Sequence, residues 1–235
     1  MITVTDCERV QANWFRMRAE RLGGRVWTDG PLTWVDGPDG QNLLFPESIP
    51  PAEVARGVEH AARTGAPIVG AWLGLGVDAS ALAEAGFERG WSPWWMTAPI
   101  EAVLRAEPDP RIELRLDSDD YEGEYAAYRE QLALAREEPP RAWYAAAYAP
   151  GRELAGHAWS FLDNGLAGVF DMAVWEEFQR RGFGSGLLRA VCAAAGAAGA
   201  AHAVLNATPD GKKLYRARGF TQIGEGITWW LHRRP

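Results

Sequence analysis

The alternation of apolar and polar positions is clearest in the second half of the chain. Ala142 to Ala149, Glu153 to Leu162 and Leu166 to Val174 are apolar-rich runs bounded by turn residues, and each reads as a strand. Pro150-Gly151 joins the first two. The Ala-rich run Leu187 to Ala198 reads as a helix, Ala203 to Asn206 as a buried strand, Asp210 to Arg218 as a helix and Gly226 to His232 as a final strand. Upstream, Ser118, Asp119 and Asp120 are helix-start residues, and Asp119 with Glu122 has capping-box spacing. Tyr121, Tyr125, Tyr128 and Leu132 then recur on one helical face. Strands and helices mixed in this order predict an α/β (α+β) domain.

The first half carries a looser copy of the same pattern. Leu82-Ala-Glu-Ala-Gly86-Phe87 leads into Trp94-Trp95-Met96, and Tyr215-Arg-Ala-Arg-Gly219-Phe220 leads into Trp229-Trp230-Leu231. An apolar run precedes each, Ile68 to Leu73 in one copy and Ala203 to Leu205 in the other. Self-similarity at this spacing predicts two copies of one unit. Between them, Arg105-Ala-Glu-Pro-Asp-Pro110 places two prolines where no regular element can continue. The expected domains are therefore residues 1–107 and 108–235.

Composition narrows the classes. With 235 residues, 47% hydrophobic and 23% charged, the chain has ordinary globular composition. No apolar stretch reaches the roughly eighteen residues of a membrane span. Met1 is followed by Ile2-Thr3-Val4-Thr5-Asp6, which has neither a basic region nor a long apolar run, so no signal peptide is expected. Two cysteines cannot form a disulfide framework, and a reducing cytoplasm is the simplest compartment. Two cysteines and four histidines also argue against a structural metal site. A net charge of -7 disfavours nucleic acid and anionic membrane as partners. The twelve tryptophans are unusual; their simplest role is core packing.

Candidate chemistry gathers after Val174. Gln179-Arg180-Arg181-Gly182-Phe183-Gly184-Ser185-Gly186 forms a glycine-rich turn between a strand and a helix. Glycines let the backbone approach a ligand closely, and a helix start offers unpaired N–H groups with partial positive charge. Such a nest binds phosphate oxygens, and Arg180 and Arg181 add charge-assisted contacts. The turn lacks the third glycine spacing and the acidic residue of a dinucleotide fingerprint.

Phe170-Asp171-Met172-Ala173-Val174, then five positions to Gly-rich QRRGFG, a long helix, a strand and Leu214-Tyr215-Arg-Ala-Arg-Gly219-Phe220 together resemble the GNAT acyl-CoA N-acyltransferase superfamily. The resemblance covers residues 111–235 and implies that the amides from Arg180 to Gly186, with Gln179 at the head of the loop, hold the coenzyme A pyrophosphate. It implies that the backbone of Met172, Ala173 and Val174 pairs with the pantetheine arm, as an added strand pairs with a sheet edge. Asn206 would lie across the gap, near the acyl-carrying end. Tyr215 looks like the family's general acid, protonating the departing thiolate. For the base, the resemblance points first to Asp171; His157, on the adjacent strand and with an unperturbed pKa suited to neutral pH, is the second candidate. Glu176 and Glu177 read as a solvated turn. Alternation along the strand would put Asp171 and Ala173 on one face and Met172 and Val174 on the other.

The first half departs from this pattern. Pro51 to Gly65 reads as a helix without a Gly-x-Gly loop ahead of it, and Leu82 stands where the repeat aligns Tyr215. The expectation is a tandem GNAT chain, two GNAT-like mixed-sheet halves of which the first is degenerate and lacks the coenzyme loop, resembling mycothiol synthase in arrangement. Its implied activity is transfer of an acetyl or other short acyl group from acyl-CoA to the primary amine of a small molecule, without a metal, by a cytoplasmic monomer or homodimer. The alternatives are a non-enzymatic acyl-CoA-binding sensor and an O-acyltransferase, which would suit His157 as base. Asp117, Asp119, Asp120, Glu122 and Glu124 crowd one helix start and imply a cationic acceptor.

Overall fold

Thr3 and Asp6 open the first helix as a reciprocal cap. The Asp6 N–H donates to Thr3 Oγ1 at 3.2 Å, and the Thr3 N–H donates to Asp6 Oδ2 at 3.0 Å. The structure, a computed structural model, describes residues 1–115 and 131–233. Ser118, Asp119, Asp120 and the Tyr121, Tyr125, Tyr128 stripe lie outside the described residues.

The elements follow in the order α1 (Val4–Arg21), β1 (Arg25–Asp29), β2 (Leu32–Gly37), β3 (Gly40–Leu44), α2 (Pro51–Thr64), β4 (Ile68–Leu73), α3 (Ser80–Glu84), β5 (Glu88–Arg89), β6 (Trp94–Pro99) and α4 (Ile100–Val103). Then come β7 (Ile112–Arg115), β8 (Ala142–Tyr148), β9 (Leu154–Asp163), β10 (Leu166–Val174), α5 (Phe183–Ala197), β11 (His202–Ala207), α6 (Lys212–Ala217), β12 (Thr221–Glu225) and β13 (Ile227–His232). The strands form two mixed sheets, ordered β1-β2-β3-β4-β13-β5 and β12-β6-β11-β10-β9-β8-β7. Each half of the chain thus lends its last strand to the other half's sheet. Contacts accordingly divide the chain into Met1–Val10 with Trp95–Ile223, and Gln11–Trp94 with Gly224–Pro235. Residues 95–107 group with the later segment and residues 224–235 with the earlier one, a division that a single cut at 107/108 does not reproduce.

The repeat is present in backbone detail. Gly86 and Gly219 both have φ +88°, the left-handed region that a residue with a side chain enters only with strain. Phe87 N–H donates to Leu82 O at 3.0 Å, and Phe220 N–H donates to Tyr215 O at 3.1 Å. At the preceding helix ends, Ala66 N–H donates to Ala61 O and Ala200 N–H to Ala195 O, each beside a glycine of positive φ, Gly65 or Gly199. Each copy begins its next strand three residues after that glycine, so Trp72 of β4 corresponds to Asn206 of β11.

In the unit built around residues 95–223, β8, β9 and β10 run antiparallel, and β10 runs parallel to β11. Helix α5 packs on this sheet through Leu187, Leu188, Val191 and Cys192, all buried. Its Ser160 neighbour on β9 donates its hydroxyl to Val191 O at 2.8 Å, which satisfies an otherwise costly buried group. Helix α5 starts at Phe183, four residues before the expected Leu187, because the glycines at 184 and 186 belong to its first turns. Strand β12 has no counterpart in the sequence reading; its five residues are short and half polar.

In the other unit, Leu32, Trp34, Leu43, Val54, Val69, Leu73 and Leu82 form a core to which Ile227, Trp229 and Leu231 of β13 are added. Gly57 of α2 lies against the Trp34 ring so closely that an added Cβ would sit 2.3 Å from it. Core packing is indeed the role of Trp14, Trp34, Trp95 and Trp159, which are fully buried. Among the described residues, no helix is long and apolar enough to cross a membrane.

Candidate active site

The glycine-rich turn leads from β10 into α5 through a short 3-10 turn, Glu176–Phe178. Arg180 at φ +64° and Gly182 at φ +90° reverse the backbone in two left-handed steps. Gly182 caps α5 without a side-chain hydrogen bond; its carbonyl accepts from the Ser185 and Gly186 N–H groups at 3.0 and 3.2 Å, and the Phe183 and Gly184 N–H groups precede these at the start of a fifteen-residue helix. The loop is held from three sides. Gln179 Nε2 donates to Val174 O at 3.1 Å. Arg111 Nη2 donates to Arg181 O at 3.1 Å while its guanidinium lies 4.1 Å from the Phe183 ring centroid. Arg218, at the end of α6, donates from Nε and Nη2 to Ser185 Oγ at 3.1 and 3.0 Å. Close packing also explains the glycines: a Cβ on Gly184 would meet Leu214 at 3.1 Å, and one on Gly186 would meet Ile112 at 2.8 Å. The sequence reading passed over Arg111 and Arg218; Arg218 lay inside the Tyr-Arg-Ala-Arg-Gly stretch already singled out.

Beside the loop the sheet opens. Strands β10 and β11 pair at Leu166↔His202, Ala167↔Ala203 and Gly168↔Val204, and no further. Beyond that point, among the described residues, β10 is paired only on its β9 side, at Phe170↔Trp159, Ala173↔His157 and Val174↔Gly156. The Met172–Val174 backbone of β10 and Asn206 of β11 both lie beyond the point where the two strands cease to pair. Such an open strand edge can receive an extended ligand by strand-like pairing.

A β-bulge corrects the expected alternation. Phe170 and Ala173 oppose Trp159 and His157, so three steps on β10 match two on β9. Asp171 sits in the bulge with φ +47° and is exposed, a conformation that Asp tolerates better than most residues. Because of the inserted residue, Ala173 shares the face of Phe170 and not that of Asp171.

His157 faces the bulge from β9 but is buried, 1% exposed. Burial pushes its imidazole down to about 4, so it does not titrate near neutrality as its unperturbed value suggested. Its Nδ1 lies 3.4 Å from the Tyr144 hydroxyl, and its ring stacks obliquely against Trp175 at 5.4 Å. Tyr215 occupies α6, packed against Phe220 with ring centroids 5.7 Å apart. It is 8% exposed. Burial, with the Cys192 thiol nearby, pushes its phenol up to about 12. The proton is therefore firmly held at neutral pH.

The first half lacks each of these features. Helix α2 begins at Pro51 with Pro50 as its cap, and prolines have no N–H to offer an anion. Strands β3 and β4 stay paired from Gln41↔Val69 to Leu44↔Trp72, and Phe45 N–H donates to Trp72 O at 2.8 Å, continuing the ladder. Trp72, in the place of Asn206, is held by a bond from its Nε1 to Asn42 Oδ1 and packs edge-on to Trp91 and Trp230. No gap opens between these strands.

Among known families, the model described as Acetyltransferase (GNAT) family matches residues 101–220. No curated protein sequence matches the chain. Among solved structures, a GCN5-related N-acetyltransferase from Kribbella flavida is similar at TM-score 0.61 and 16% identity, covering 98% of this chain and 96% of that one. A GCN5-related N-acetyltransferase-like protein from Streptococcus suis reaches TM-score 0.63 at 11% identity, covering 97% and 99%. A tandem GNAT protein from the clavulanic acid biosynthesis pathway matches at TM-score 0.54 and 15% identity over 100% of this chain and 98% of that one.

Proposed function

The chain belongs to the GNAT acetyltransferase family, and on that premise we propose that it transfers an acetyl or short acyl group from acyl-CoA to a primary amine, using one site in the second half. The observation that carries this reading is the conjunction of the left-handed phosphate turn with the opened β10–β11 edge, a pair of features the first half lacks. The pyrophosphate would meet the N–H groups at the start of α5, between Arg180 and Gly186. The pantetheine arm would extend along Met172, Ala173 and Val174, with Asn206 opposite. The thioester carbonyl would then lie in the gap.

Reaction at that point needs two proton movements. The amine nitrogen attacks the thioester carbon, and collapse of the tetrahedral adduct breaks the C–S bond and releases a thiolate. Tyr215 keeps its proton at neutral pH and would deliver it to the leaving sulfur; buried in a nearly dry setting, it stays neutral until a stronger base forms beside it. Asp171, exposed at the bulge, is the proposed acceptor of the ammonium proton. His157 is neutral and could accept one, but burial opposes its charged form.

The acceptor is proposed to be a small cationic amine. Support comes from the sequence alone: Asp117, Asp119, Asp120, Glu122 and Glu124 lie outside the described residues. Clustered carboxylates would concentrate a cation and speed its capture in a salt-dependent way. The test is free-thiol release from acetyl-CoA over a panel of polyamines, amino-acid derivatives and aminoglycosides. Neutralising Asp119, Asp120 and Glu122 together should raise KM several-fold at low salt and less at high salt. Acetyl-CoA binding without thiol release for any amine or alcohol would favour the sensor. Release by alcohols alone would favour O-acyl transfer.

A further inference from the structure

The opening between β10 and β11 has a closed end, and two side chains fill it. Gly168 and Val204 are the last residues of the two strands to pair. Gly168 is a strand glycine without positive φ, and the register of the repeat puts Asn42, a residue with a side chain, at its place in the first half. Backbone geometry therefore does not call for glycine there, whereas close approach by a neighbour does. A Cβ on Gly168 would lie 2.5 Å from the Phe170 ring and 2.6 Å from Val10 Cγ1. The ring of Phe170, two residues along the same face, thus lies back over Gly168, and Val10 of α1 closes in beside it. Val10 is fully buried and Phe170 half-buried. The adjacent Arg9 ties this part of α1 to the sheet, donating from Nε to Asp163 Oδ2 at 3.3 Å. Val10 lies outside residues 101–220, which match the family model, so this closure belongs to this chain and not to the family at large.

We propose that Val10 and Phe170 set the acyl-chain length of the substrate, admitting acetyl or propionyl and excluding longer chains. The proposal rests on the acyl-CoA reading above, which gives the ligand a direction. With the phosphates at the start of α5, the pantetheine arm runs from Val174 back to Met172, and the acyl group beyond it points towards Phe170 and Gly168. A chain lengthened along that line meets the Phe170 ring and Val10, where the strands have already closed. Close-packed side chains leave no room for added methylenes unless a neighbour is displaced.

The experiment measures binding of coenzyme A, acetyl-CoA and hexanoyl-CoA by calorimetry to the full chain and to two variants, V10A and F170L. The native chain should bind hexanoyl-CoA at least about 10-fold more weakly than acetyl-CoA, a modest penalty for extra methylenes at a filled apolar site. V10A, and independently F170L, should shrink that difference about 10-fold while affinity for coenzyme A itself stays unchanged. Because the readout is a ratio within one preparation, a smaller folded fraction does not alter it. Equal affinity of the native chain for both thioesters, or a ratio that neither variant moves, would overturn the proposal. So would uniform weakening of all three ligands with a lowered thermal midpoint, which would make the two side chains packing residues only. A native chain that binds none of the three would instead overturn the acyl-CoA reading beneath it.

Discussion

Tyr215 and Asp171 divide the chemistry by environment. A phenol raised to about 12 is fully protonated through the working range, so loss of the acid form should limit activity only at strongly alkaline pH. Tyr215→Phe should lower kcat about 10²-fold or more with acetyl-CoA affinity nearly intact, read by steady-state kinetics and calorimetry. Unchanged turnover would mean that the thiolate leaves unaided. For the base, activity falls as pH drops through the pKa of the group that must be unprotonated. Asp171→Asn removes the carboxylate while keeping a residue that tolerates positive φ, so it separates charge from backbone. The acidic limb of the pH–rate profile, measured with a weakly basic acceptor, should shift or vanish in this variant. A limb that stays near pH 4 would assign the base to His157, whose imidazole titrates there.

At the scale of elements, the loop, the bulge and the opened strand edge work only together. A residue with a side chain at Gly182 must adopt φ +90°, and one at Gly184 must displace Leu214. Gly184→Val should therefore abolish acetyl-CoA binding, with far-ultraviolet circular dichroism showing retained structure. The first half makes the complementary prediction. Its α2 starts with prolines and its β3–β4 ladder is closed, so calorimetry should give one acetyl-CoA site per chain. Two equivalent sites would contradict the reading of that half as degenerate.

For the whole molecule, the exchanged strands matter most. Strand β13 lies between β4 and β5, pairing with β4 over six positions from Ile227↔Leu73 to His232↔Ile68. Ile227, Trp229 and Leu231 add to the core there. All three are partly buried, so each contributes less than the roughly 1.5–3 kcal/mol of a fully buried large apolar side chain, but together with six positions of strand pairing their loss is a sizeable fraction of a typical domain's stability. Deleting residues 227–235 should thus unfold the unit built on residues 11–94, detected as loss of hydrogen-exchange protection in β3 and β4. Fragments 1–107 and 108–235, made separately, should each lack an interior strand and fail to fold cooperatively. Independent folding of both would overturn the account.

By itself the sequence determined the local features: the β8–β10 runs, the repeated Gly-Phe turns, the glycine loop and the tyrosine after it. These are legible because periodicity, turn chemistry and short-range spacing are properties of neighbouring residues. The early start of α5 and the brief strand β12 escaped because glycine and polar residues weaken those same signals. Only the tertiary structure decided the rest. The bulge at Asp171 and the splay after Gly168 depend on how one strand's register meets another's. The exchange of β6 and β13 depends on which sheet each strand joins. The burial that lowers His157 and raises Tyr215, and the meeting of Arg218 with Ser185 across 33 residues, arise from packing between distant segments. Nothing in the spacing of neighbouring residues encodes such contacts, because desolvation and long-range pairing exist only once the chain has folded.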